Sequence, residues 1–313
     1  MNWAEGIFER LNSSAVREPA LATALLGLTA GTIGALAVLR RQSLVGDAVA
    51  HAALPGVAVA FLAGARTPLG LIVGGAVAGW LAMGVITLIT RRSRLAFDTA
   101  LAGVLAVFFG AGLVLFTYIQ RNVPGAALTP LERYLFGQAA FLRSEDLSLI
   151  AAITAATLGV VVVFWKQFAA VSFDPAFAAS IGMPVRRVEF ALTTLLVVAV
   201  VMGLKAVGVV LMTALLIAPG VAARQWSNRL GWVVFLAGVF GAGAGLGGTW
   251  AAHLASFELT RGRSIPTGPT IVLTATGWVA LSLLIGPARG WLWSKRRMKS
   301  HPAISEPNTA NQS

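Results

Sequence analysis

The 313-residue chain is 57% hydrophobic and 12% charged, with a mean hydropathy of +0.79. This excludes a soluble domain and marks a polytopic, all-α membrane protein. Cysteine is absent and the six methionines are scattered, excluding disulfides, thiolate ligands and a thioether path for Cu(I). A net charge of +12 can signal nucleic acid, but here the basic residues punctuate apolar runs and act as topology signals, so no nucleic-acid partner is expected.

Residues 1–19 form an N-terminal interfacial segment, with Trp3, Ile7, Phe8 and Leu11 at helical spacing. Glu5, Glu9 and Glu18, with no basic start, argue against a cleaved signal. A transmembrane domain is predicted over 20–287. Its apolar runs lie at 20–39, 44–63, 69–90, 99–119, 147–165, 190–204, 206–223, 232–254 and 269–287, judged against the roughly 20 residues a span requires. Nine helices result if Lys205 is the apex of a tight turn, eight if 190–223 is one tilted helix with a snorkelling lysine. Fifteen of the 24 Lys and Arg fall on the side of Arg40, Arg91, Arg186 and the C-terminal tail, and nine on the other. The positive-inside rule then puts the N-terminus outside and the C-terminus inside a bacterial-type cytoplasmic membrane.

The second run contains SLVGDAVAHAALPGVAVAF, Ser43 to Phe61, with Asp47 and His51 at i and i+4. On a helix they share a face about 6 Å apart along the axis. A carboxylate oxygen and an imidazole nitrogen so placed suit Zn²⁺, Mn²⁺ or Fe²⁺. Pro55 has no N–H to give to the carbonyl of His51, which leaves a free backbone oxygen beside the pair. A second reading fits the same spacing: an acid at a helix start, stabilised by the dipole, and a histidine bonded to a neighbouring helix. Counted from Arg41, Asp47 stands only about 9 Å into the membrane from the inner surface, unless the first turn begins within a wet vestibule.

Two connections are too long for turns. The outer one, Arg121 to Asp146, includes LERYLFGQAAFL, an interfacial or re-entrant stretch. The inner one, 172–188, reads SFDPAFAASIGMPVRRV. Asp174 caps a helix starting at Pro175, and Gly182 with Pro184 ends it. A surface helix followed by Arg186 and Arg187 suits either docking of a soluble partner or contact with membrane lipid. Residues 288–313 form a basic tail, with Trp291 and Trp293 at the interface and a polar, disordered end.

No G-x-x-x-x-G-K-[ST] and no H-E-x-x-H occur, so neither a P-loop nor the usual membrane zinc-protease signature is present. The glycine-rich run Gly238 to Gly248 lies in an apolar helix and reads as a packing face. His253, near the outer end of its span, is read as an interfacial or hydrogen-bonded histidine, with an entrance ligand as the alternative, and His301 as incidental.

These segments together resemble the permease subunits of metal-ion ABC importers of the zinc/manganese/iron class. The resemblance runs through LRRQSLVGDAVAHAALPGVAVAFL (Leu39 to Leu62), LERYLFGQ (Leu131 to Gln138), FDPAFAASIGMPVRR (Phe173 to Arg187), VGVVLMTALLIAPGVAAR (Val207 to Arg224) and PTGPTIVL (Pro266 to Leu273). It implies a homodimeric permease, not itself an enzyme, served by a cytoplasmic ABC ATPase and an extracytoplasmic metal-binding delivery protein. It implies Asp47 and His51 as ligands of the transported metal, with no permanently bound cofactor. It implies Phe173, Asp174, Pro175, Gly182, Pro184, Arg186 and Arg187 as the segment coupled to the ATPase. The alternatives are a permease for an organic substrate such as a metal chelate or vitamin, and a membrane enzyme using Asp47 and His51 as an acid–base pair.

Overall fold

A computed structural model describes residues 13–40, 42–123, 137, 139–258, 265–288 and 290–291. The expected segments at 1–12 and 131–136 and the tail beyond 291 lie outside these. Among the described residues are eleven α-helices, a short 3-10 turn at Ala139–Phe141, and no strand. The helices are α1 (Ser14–Leu39), α2 (Val45–Leu62), α3 (Pro68–Arg92), α4 (Phe97–Asn122), α5 (Ser144–Val163), α6 (Trp165–Phe173), α7 (Pro175–Ser180), α8 (Val185–Val207), α9 (Val209–Arg224), α10 (Leu230–Glu258) and α11 (Thr267–Ile285). Eight are long and apolar enough to cross a membrane. With 16 residues, α9 has a length of about 24 Å, and counting it as a crossing gives the nine passes read from the sequence.

The centre of the bundle is built by small residues. α1 and α10 meet backbone to backbone: a Cβ added at Gly27 would stand 2.0 Å from the carbonyl oxygen of Gly241. The glycine-rich run of α10 is thus a packing face, and only hydrogen side chains permit this approach. The Thr23 hydroxyl seals the contact, donating to the Pro19 carbonyl at 2.9 Å and meeting Thr249 Oγ1 at 2.9 Å. Around this pair, α2, α8 and α9 complete the interior, with Leu54, Val197, Met212 and Leu215 fully buried. α3, α4, α5 and α11 ring it, exposing Leu81, Val107, Val162 and Leu273, as lipid-facing helices do.

The chain breaks at Gly208, where φ is +87°, three residues beyond the turn expected at Lys205. A lysine at that φ would be strained, whereas glycine adopts it freely. Lys205 stays helical in the last turn of α8, and its charge is met from the side: Nζ donates to Asp146 Oδ1 of α5 at 2.5 Å. The Asp146 side chain is only 8% exposed, so each ion depends on the other for its burial.

On the opposite side of the bundle, Asp174 caps α7 as its sequence predicts, accepting from the Phe177 N–H at 2.9 Å, with Pro175 as first helical residue. Gly182, at φ +81°, carries the chain out of α7 toward α8. Phe173, Phe177 and Ile181 are all more than half exposed. There too Arg40, just past α1, is ion-paired to Glu189 of α8 at 3.1 Å.

Candidate functional site

Asp47 and His51 lie in the first two turns of α2. Their depth follows from packing. Gly79, midway along α3, packs against both Val49 and Val197, the latter midway along α8. Asp47 and His51 flank Val49 in sequence, so the pair packs beside the middle of α3 and α8.

His51 Nε2 is 3.5 Å from Asp47 Oδ1. Two metal–ligand bonds of about 2.1 Å meeting at a tetrahedral angle span about 3.4 Å, so one ion fits between these atoms with little rearrangement. The Asp47 side chain is 33% exposed and that of His51 16%, giving a partly open site. Phe109 of α4 meets the imidazole edge to face, with centroids 4.6 Å apart. His51 Nδ1 is buried without a hydrogen-bond partner, so no second protein group satisfies this ring as it stands. The carbonyl freed by Pro55 remains next to the pair, and α4 closes on that kink at Gly112, where an added Cβ would be 3.1 Å from Pro55 Cδ.

The structure adds a residue that spacing did not single out. Thr213 Oγ1 of α9 donates to Asp47 Oδ1 at 3.1 Å. Two glycines bring α9 so close. A Cβ on Gly46 would lie 2.4 Å from Leu216 Cδ2, and one on Gly34 would lie 1.9 Å from the Leu216 carbonyl oxygen. Leu216 is one turn from Thr213, so its seat between α1 and α2 aims the hydroxyl at Asp47. The available signal was modest: Thr213 is the only polar side chain in α9 before Arg224.

Among the described residues no third His, Asp, Glu or Cys joins the pair to complete a metal cage. His253 sits half-buried in α10. The residues expected to couple to an ATPase lie elsewhere, from Phe173 at the end of α6 through α7 and the connection at Gly182 and Pro184 to the start of α8. A carboxylate and an imidazole backed by one hydroxyl and one free carbonyl form a hard-to-borderline, incomplete donor set. Such a set can hold a divalent ion and also release it.

The eight long apolar helices define a polytopic membrane protein, and the family it falls in makes it the membrane permease of an ABC transporter. Residues 13–286 match the family model described as the ABC 3 transport family, and the chain belongs to that family. It is 43% identical over 282 residues to the zinc transport system membrane protein TroC of Treponema pallidum, covering 89% of this chain and 92% of that one. It is 44% identical over 269 residues to the manganese transport system membrane protein MntC of Bacillus subtilis, covering 86% of this chain but 60% of that longer protein. Among solved structures, PsaBC from Streptococcus pneumoniae in complex with Fab superposes with a TM-score of 0.79 at 30% identity, over 93% of this chain and 99% of the other. Family membership makes the chain a permease subunit rather than an enzyme, with ATP hydrolysis on a separate chain.

Proposed function

We propose that this permease carries a divalent transition metal, manganese or zinc, into the cytoplasm, and that Asp47 and His51 are the side chains that hold it in transit. The observation that carries the reading is the pair itself: two donors 3.5 Å apart beside the middle of α3 and α8, with Asp47 oriented by Thr213. The imidazole binds metal in its neutral form, so the bound ion sees one negative charge per site. Water, the His51 carbonyl or a second copy of the chain completes the shell. A homodimer with the path at or near the subunit interface accounts for the partial exposure of both ligands.

The N-terminus is outside and the basic tail inside. An extracytoplasmic binding protein delivers the ion, and a cytoplasmic ABC ATPase presses on residues 173–187, where exposed Phe173, Phe177 and Ile181 offer an apolar contact beside Arg186 and Arg187. Displacement of α7 passes to α8, then through the Gly208 hinge to α9, which carries Thr213 against Asp47. The site would thereby be opened alternately to the two sides.

The test is cellular metal content by elemental mass spectrometry, in metal-limited cells expressing the chain with its ATPase and binding protein. Wild type is expected to raise one metal, and His51→Ala to remove that rise at equal expression. An unchanged metal profile in an assembled wild-type complex would refute the proposal.

A further inference from the structure

A cavity of about 500 Å³ lies between α1, α3 and α8 and reaches Val45 of α2, but neither Asp47 nor His51 lines it. Its lining is divided by chemistry. Arg40, Arg91 and Arg186 stand at one end; Trp80, Met83 and Leu196 form the other. Glu189, the only acid in the lining, is already committed to Arg40. Among the described residues, neither Arg91 nor Arg186 has a carboxylate partner. Burial holds the Arg40 guanidinium below its ordinary pKa, which Glu189 opposes without cancelling. An anion at this end would relieve both conditions. Three arginines against one glutamate also make it a poor route for a divalent cation.

The apolar end matches a hydrocarbon chain. Trp80 and Phe190 stack with centroids 5.9 Å apart, Trp80 being 41% and Phe190 63% exposed. Arg91 is eleven residues beyond Trp80 on α3, so the cavity runs about 16 Å along the membrane normal, from the basic helix ends into the bundle. A basic pocket between helices at the cytoplasmic surface has the chemistry of an anionic headgroup site.

We propose that this cavity binds an anionic diacyl phospholipid of the inner leaflet, with its phosphate on Arg91 and Arg186 and an acyl chain along Trp80, Phe190 and Leu196. The inner-leaflet assignment rests on the orientation proposed above; the lipid chemistry does not. The chain's own tail is an unsuitable occupant, since Lys295, Arg296, Arg297 and Lys299 would face arginines. A second copy docked here by two-fold symmetry would likewise set basic rim against basic rim.

The experiment is native mass spectrometry of the full permease complex in nanodiscs of equimolar phosphatidylglycerol and phosphatidylcholine. Wild type is expected to retain phosphatidylglycerol over phosphatidylcholine by fivefold or more, the effect of about one basic contact. Arg91→Gln should bring this ratio to near one, and Arg91→Lys should keep it. Gly84→Leu is a second variant: Gly84 lines the cavity and a Cβ there meets nothing within 4 Å, so a larger side chain starts from open space at the cavity wall and should reduce retention. Equal retention of both lipids by wild type, or variant ratios equal to wild type, would overturn the site. Displacement of the bound mass by millimolar inorganic phosphate would mark a free-anion site instead. Loss of the dimer in Gly84→Leu would mark an interface between copies. Metal uptake is read in parallel, so failure of the lipid site and failure of the transport reading are distinguishable.

Discussion

Two acids face nitrogen bases inside this bundle, and their surroundings lead to opposite chemistry. Asp146 is 8% exposed and meets the Lys205 ammonium at 2.5 Å; Asp47 is 33% exposed and meets the His51 imidazole at 3.5 Å, with a threonine hydroxyl on the same oxygen. The first pair is closed and self-neutralising. Its cation is covalently fixed, so a metal ion would have to displace an ammonium from its only strong partner. The second faces an imidazole, a side chain that in its neutral form can give a lone pair to a metal instead of competing with it as a fixed cation. Closeness to a base does not make a metal site: the base must be able to donate electrons to the same ion that the acid attracts.

The largest effect should come from removing the open acid. Asp47→Ala leaves an imidazole and no charge, and uptake should fall to the background of cells lacking the chain, while co-purification of the ATPase is unchanged. Persistent uptake in a stably expressed Asp47→Ala variant would show that the two acids differ in packing only. The closed pair should respond in stability. Lys205→Met leaves a buried, uncompensated carboxylate, costing about 3–5 kcal/mol, read as a lower midpoint of thermal unfolding in detergent. Adding Asp146→Leu should restore most of that loss, since an apolar pair of similar volume is often as stable as the ion pair. If Lys205→Met instead spares the midpoint and abolishes uptake, Lys205 belongs to the path.

The open pair was legible because its determinant is local: i and i+4 on one apolar helix place two side chains on one face without reference to the rest of the fold. The cap of α7 by Asp174 with Pro175 was legible for the same reason, and so was the packing role of the α10 glycines. The closed pair was not, because Asp146 and Lys205 are 59 residues apart and either could have faced solvent at a span end. The interruption at Lys205 was visible, but its position shifted to Gly208 because backbone dihedral cost, not charge, decides where a helix breaks. For Asp47 the count of helical rise from Arg41 left two readings, the inner half of the membrane or a wet vestibule, because rise along one helix says nothing of how the preceding turn packs. Thr213 depends on α9 seating Leu216 against Gly34 and Gly46, a contact across three helices.

The smallest effect is also the sharpest probe of the comparison. Thr213→Val keeps the volume of the side chain and removes only the hydrogen bond to Asp47 Oδ1. If the open acid works through electron donation, it still binds metal without that bond, but from a less defined rotamer. Loss of an outer hydrogen bond to a metal ligand costs roughly 10–100-fold in affinity or activity, and a partly open, uncaged pair belongs at the low end. Initial-rate uptake should therefore show an apparent KM raised about tenfold, with maximal rate nearly preserved, and Thr213→Ser should restore it. A purely structural role would give the opposite split: less assembled complex and a lower maximal rate at unchanged KM. The corresponding bond at the closed pair cannot be removed so gently, because there the partner is a charge. A neutral donor orients a carboxylate without occupying it, and on the proposed reading this leaves Asp47, unlike Asp146, available to a metal.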